Sequence, residues 1–176
     1  MHQRKIPSNG EMLPVVGCGT WRTFDVGAKP EDRAPLAEVL RILFEAGGSV
    51  IDTSPMYGSA EAVVGDLLAA AKTRDKAFIA TKVWTSGAER GIAQMEESAR
   101  RMRVKAFDLI AVHNLTDWKT QLATLKRWKE EGKVRYIGIT TSHGRDHAQL
   151  IEVMRNEPLD FVQFSYNIED REAEQA

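Results

Sequence analysis

Short apolar runs recur along this 176-residue chain, beginning near residues 15, 50, 77, 108, 134 and 161, and helical segments separate them. The spacing is roughly 30 residues, the length of a strand plus the helix that returns the chain for a parallel partner. The runs are continuously apolar rather than alternating, as strands buried on both faces are. The segments between them carry apolar residues on one helical face: Leu36, Val39, Leu40, Leu43 and Phe44; then Ala60, Val63, Val64, Leu67, Leu68 and Ala71; then Ile92, Met95, Ala99 and Met102; then Trp118, Leu122 and Leu125; then Leu150, Val153 and Met154. Strands alternating with amphipathic helices predict an α/β fold with a parallel sheet. Gly47-Gly48 and Gly132 stop the first and fourth helices, and Asp117 is expected to cap the start of the fourth. At the start, Lys5-Ile6-Pro7 and Met12-Leu13-Pro14 flank Ser8-Asn9-Gly10-Glu11, a hairpin signal. That hairpin is expected to plug the N-terminal end of a barrel, with Val15–Cys18 as the first barrel strand.

Parallel barrels carry their chemistry at the C-terminal ends of their strands. Here Val50-Ile51 runs into Asp52, Ala77–Thr81 into Lys82, and Leu109–Val112 into His113, while Tyr57 lies five residues past Asp52. An acid, a phenol, an amine and an imidazole on one rim make a proton-transfer site. Singly, Asp52 reads as a turn cap, Tyr57 as a packing residue and His113 as a rim histidine. Lys82 is harder to explain so, because burying a lone ammonium is costly. The set carries the assignment.

Composition narrows the rest. With 43% hydrophobic and 28% charged residues, the chain reads as one globular domain over 1–176. A net charge of −1 offers no attraction for nucleic acid or an anionic membrane. Cys18 is the single cysteine, so no internal disulfide forms; it reads as a small apolar core residue. Met1–Gly10 hold no apolar run of a signal peptide, and no stretch approaches the ~20 apolar residues of a membrane span, so a cytoplasmic protein is expected. His143 and His147, with Asp146 between them, have a spacing that suits a metal, yet a solvated helix face is the favoured reading and no metal is expected. Trp118 and Trp128 read as packing residues, and the alternating charges of Lys126–Arg135 as a wet helix face.

Five segments, each at a strand end, resemble the aldo-keto reductase superfamily: Leu13–Trp21, Gly47–Glu61, Ala80–Lys82, Asp108–His113 and Gly132–Thr140. The resemblance implies a (β/α)8 barrel of TIM type with an N-terminal hairpin, of which about six βα units are present. It implies reduction of an aldehyde or ketone by NADPH, or by NADH. Tyr57 would be the general acid, its pKa lowered by Lys82; Asp52 would hold Lys82, and His113 would orient the carbonyl. Gly19, Thr20, Trp21, Asp52, Thr140, Thr141 and Gln163 match cofactor-binding positions, with Thr141 in place of an amide side chain. Tyr57 and His113 would meet the substrate; Trp21 and Trp84, just past the first and third strands, read as lining the substrate pocket or as core packing. The family's last two strands supply the stacking aromatic and the phosphate contacts, and six strands fall short of a closed barrel. The chain therefore reads as a reductase cut short, with Ile168–Ala176 as the first turns of a sixth helix. Two exposed sheet edges would favour self-association. The competing expectation is a non-catalytic, regulatory chain that binds cofactor weakly or only associates with partners.

Overall fold

The computed structural model describes residues 1–142 and 146–175. A hairpin opens the chain, β1 (Gln3–Lys5) pairing antiparallel with β2 (Met12–Pro14). Gly10 takes the positive φ of 79° that its turn requires. The second strand of the hairpin lies where expected, while the first precedes the expected Lys5–Pro7, and Ile6 is buried just past its end.

The main sheet contains β3 (Cys18–Gly19), β4 (Val50–Asp52), β5 (Phe78–Val83), β6 (Phe107–Val112), β7 (Val134–Thr140) and β8 (Phe161–Gln163). Their order in space is their order in sequence, and every pair is parallel. Helices α1 (Pro30–Glu45), α2 (Ala60–Ala71), α3 (Ala88–Met102), α4 (Trp118–Glu130) and α5 (His147–Asn156) form the connections. This is the wall of a parallel barrel, open between β3 and β8. The first barrel strand is shorter than expected and lies later: Val15 and Val16 are exposed, and pairing begins only at Cys18. The expected sixth helix is absent. In its place stands a single 3₁₀ turn, Glu172–Glu174.

Side chains alternate across a strand, and that alternation divides the sheet into two chemistries. On one face, Ile51, Ile79, Val83, Ile110, Val112, Ile137 and Ile139 pack against the helices in the main core. On the other, Phe78, Tyr136 and Phe161 gather under Ile6 at the N-terminal end, with ring centroids 5.5–6.1 Å apart. Small residues follow upward: Ala80, Ala111 and Gly138, where a Cβ on Gly138 would lie 2.5 Å from the Phe161 carbonyl oxygen. The same parity then brings Asp52, Lys82, Thr140 and Gln163 to the C-terminal ends, with His113 next in line past Val112. The aromatic floor and the hairpin close one end, as expected; polar groups line the other.

The glycine stops behave as their chemistry requires, and the expected Asp117 cap does not. Gly47 and Gly132 adopt φ of 79° and 72°, as their roles as stops require. Asp117 does not cap α4 with its side chain; it sits in the left-handed region, and its carboxylate accepts the Gly87 N–H at 2.7 Å, at the start of α3. Helices α2 and α3 touch at Gly65, where a Cβ would stand 2.4 Å from the Arg101 carbonyl oxygen and 2.7 Å from Met102 Cα. Glycine to alanine inside a helix ordinarily stabilises by about 1 kcal/mol. Gly65→Ala is expected to do the reverse, at a cost of about 1–3 kcal/mol, seen as a lower urea midpoint at unchanged slope. A raised midpoint would show that the two helices do not meet this closely.

Candidate active site

An ammonium is a donor-only group, and three oxygens meet that of Lys82. Nζ donates to Asp52 Oδ1 at 2.8 Å, to Asp52 Oδ2 at 2.9 Å and to the Thr53 carbonyl oxygen at 2.8 Å. The Lys82 side chain is 3% exposed and that of Asp52 28%. An unpaired charge in such a place would cost several kcal/mol. Local structure supplies the partners: β4 and β5 pair in register, Asp52 beside Ala80, so the end of β4 meets the lysine two residues farther along β5. The Thr53 N–H donates to the Ala80 carbonyl oxygen at 2.9 Å, extending the ladder by one residue.

Tyr57 lies in the turn between β4 and α2, half-buried, and Lys82 Nζ is 5.4 Å from its ring centroid. The expected lowering of its pKa is not what this geometry produces. Burial pushes the phenol above its ordinary value, and the Asp52 carboxylate adds to the rise. His113 is the first residue past β6, its ring 5.7 Å from that of Trp84, which follows β5. Burial, reinforced by the Lys82 charge and opposed by Asp52, pushes its pKa down to about 4. The imidazole is therefore neutral at physiological pH.

The other predicted positions divide by what occupies their polar atoms. Thr20 is fully buried, and both its N–H and its hydroxyl donate to the Asp52 carbonyl oxygen at 3.0 Å, tying the loop after β3 and Gly19 to β4. Its hydroxyl is thus committed to the fold. Trp21, next to it, is 58% exposed, with the Arg22 guanidinium 4.4 Å from its ring; Trp84 is also exposed. The Thr140 hydroxyl accepts the Asn114 N–H at 3.3 Å, and the Thr141 N–H donates to the Gln163 carbonyl oxygen at 2.9 Å. Among the described residues, eight buried side-chain atoms lack a hydrogen-bond partner, four of them Thr53 Oγ1, His113 Nδ1, Asn114 Oδ1 and Thr141 Oγ1. All four belong to residues immediately beyond the ends of β4, β6 and β7. Buried polar groups are ordinarily paired, and these four stand where a polar ligand at the strand ends would meet them, while the other four belong to helices.

Sequence reasoning missed Asn114, whose backbone is left-handed at φ 51°; asparagine after a strand-end histidine is the signal that was present. It also missed Met56, 45% exposed beside Tyr57, for which the sequence carries no signal. His143 lies outside the described residues. Among the described residues, no three His, Cys, Asp or Glu side chains are grouped to hold a metal, and no helix is long and apolar enough to cross a membrane.

Comparison with known proteins agrees with this geometry. The model of the aldo/keto reductase family matches residues 15–176. The chain belongs to that family. It is 32% identical over 157 residues to methylglyoxal reductase YeaE of Escherichia coli strain K12, a match covering 85% of this chain and 54% of that protein. Among solved structures, the thermostable aldo-keto reductase Tm1743, in complex with the inhibitor epalrestat, superposes with a TM-score of 0.83 at 25% identity, covering 99% of this chain and 66% of that one. A Klebsiella pneumoniae aldo-keto reductase in complex with NADPH has the same fold, with a TM-score of 0.71 at 23% identity over 90% of this chain and 55% of that one. The chain thus spans about half the length of the curated relatives it matches.

The neutral His113 has a direct signature. Its imidazole proton resonance is expected to titrate with a midpoint near pH 4, well below the ~6.5 of a free histidine. In Lys82→Met, which removes the neighbouring positive charge, the midpoint moves up. A wild-type midpoint at the free value would place His113 in water rather than against the Lys82–Asp52 pair.

Proposed function

We propose that this chain carries the carbonyl-reducing site of an NADPH-dependent aldo-keto reductase, with NADH as the second cofactor. The observation that carries the reading is the buried Lys82–Asp52 pair beside Tyr57 and His113 at the C-terminal ends of a parallel sheet. Family membership supports it, as do the reductases among the relatives.

The residues fit a nicotinamide. Thr140, Thr141 and Gln163 offer hydroxyl and amide groups suited to a carboxamide, the buried Thr141 Oγ1 is without a partner among the described residues, and Gly19, Thr20 and Trp21 border the same end. Reduced nicotinamide, when bound, supplies the hydride. The chain's own work is done by four side chains. Neutral His113 has one ring N–H to donate, and it orients the substrate carbonyl oxygen. Tyr57 keeps its proton at neutral pH, because burial and Asp52 raise its pKa, and gives that proton to the carbonyl oxygen as the alcohol forms. Lys82 Nζ lies 5.4 Å from the centroid of the phenol ring and supplies the positive charge of the site. Asp52 keeps Lys82 in place. Trp21 and Trp84 form the apolar walls. The substrate is a small reactive carbonyl, of which the methylglyoxal in the E. coli relative's name is the first to assay.

Tyr57→Phe is expected to lower NADPH-dependent methylglyoxal turnover by about 10²–10⁴-fold, the usual worth of a general acid, with NADPH affinity within about twofold, as for a residue acting only in the transition state. Unchanged turnover would remove Tyr57 from the mechanism. A second reading has one observation in its favour. Both β3 and β8 are free edges, so the chain can instead act as a non-catalytic partner, pairing through its edges with a second copy. Concentration-dependent dimers without turnover in size-exclusion and activity assays support that reading; a monodisperse monomer that turns over contradicts it.

A further inference from the structure

The turn that holds Tyr57 is latched to the loop that holds Trp21 by a carboxylate neither segment needs for its own fold. Asp25 Oδ1 accepts the Ser59 N–H at 2.9 Å. The Ser59 hydroxyl lies 2.9 Å from Asp25 Oδ1 and 2.9 Å from the Val26 carbonyl oxygen, and donates to one of them at a time. Serine at the start of a helix normally turns its hydroxyl onto its own helix. Ser59 precedes α2 and makes no such bond; its hydroxyl reaches across to the other loop. Between Tyr57 and Ser59 stands Gly58, at φ 57°, where any Cβ would lie 2.3 Å from the Asp25 carboxylate. Glycine is required there both by its backbone and because Asp25 rests against its Cα.

The Asp25 loop is itself firmly anchored. Thr20 is bound to the Asp52 carbonyl, Phe24 N–H donates to the Thr20 carbonyl oxygen at 3.1 Å, and the Phe24 ring is 1% exposed in the main core. On the other side, the Tyr57 N–H donates to the Ser54 carbonyl oxygen and its carbonyl accepts the Ala60 N–H, each at 3.0 Å. Asp25 therefore joins two fixed segments at one point, two residues from the phenol. Binding to Ser59 also holds the Asp25 carboxyl below the usual carboxylate range.

We propose that Asp25 is a positioning residue: through Ser59 and Gly58 it fixes the Tyr57 phenol, together with Trp21, in the geometry that proton transfer needs. It touches neither substrate nor cofactor. The inference rests on the proton-donor role proposed for Tyr57, and its claim about phenol placement is measurable without turnover.

The test compares wild type, Asp25→Ala and Asp25→Asn, each with and without Tyr57→Phe. The ultraviolet difference titration of each pair isolates the Tyr57 phenol. Asp25→Ala is expected to bring its midpoint down toward the ~10 of a free phenol, as water reaches the released turn. In methylglyoxal turnover it lowers kcat by about tenfold or more, the scale of a small misplacement of a reacting group, with NADPH affinity within about twofold. Asp25→Asn, which keeps a carbonyl oxygen for the Ser59 N–H, restores most of both. An unchanged phenol midpoint and unchanged kcat in a less stable Asp25→Ala would make Asp25 a helix cap and overturn the proposal. A wild type that is folded but inactive would sink the proposed reduction instead, and the phenol titration would still decide whether Asp25 places Tyr57.

Discussion

The Lys82 ammonium is tolerated inside this sheet because three oxygens meet it there, two from Asp52 and one from the Thr53 backbone. That requirement propagates. Asp52 must end β4 where it does, so β4 and β5 must pair in the register they have. Thr20 then anchors to the Asp52 backbone, which places the loop of Trp21. The same charge adds to the burial that keeps His113 neutral, and lies 5.4 Å from the centroid of the Tyr57 ring. Removing one partner of a buried pair costs more than the pair is worth, because the other charge is stranded. The pair is therefore better understood as a device that specifies position than as a source of stability.

Around that point the sheet is graded. Aromatic rings fill the end under the hairpin, small residues leave space in the middle, and hydroxyls, amides and ionisable groups crowd the far end. One alternation, residue by residue along five neighbouring strands, produces all three layers. It also separates the stability of the molecule from its chemistry: the main core lies between sheet and helices, on the opposite face from the polar groups. Loops at the polar end are consequently held by individual hydrogen bonds, of which Thr20 to Asp52 and Ser59 to Asp25 are the clearest.

Much of this was legible in the residues alone. β5 and β6 are uninterrupted apolar runs ending beside Lys82 and His113, so their existence, direction and ends could be read off. The glycine stops at Gly47 and Gly132 followed from backbone chemistry. What could not be read depends on neighbours distant in sequence. Asp117 has the right type for a cap, but the N–H it meets belongs to Gly87 on another helix. Val15 and Val16 are apolar enough for a strand, yet they lie outside the sheet's reach. Ile168 begins what resembles a helix but is 94% exposed, with nothing to pack against. The direction of the Tyr57 shift depended on the burial of the phenol and on the Asp52 charge near it, which no spacing encodes. Asp25 belongs to no periodic pattern, and only the folded chain brings it to Ser59.

The proposed reduction requires that the strand ends within residues 1–176 form a nicotinamide-binding site. The most direct measurement is a fluorescence titration of NADPH against the purified chain, with circular dichroism establishing that it is folded. Saturable binding, weakened by substitutions at Thr141 and Gln163, is the predicted result. A folded chain that leaves NADPH fluorescence unchanged across the titration would contradict the claim.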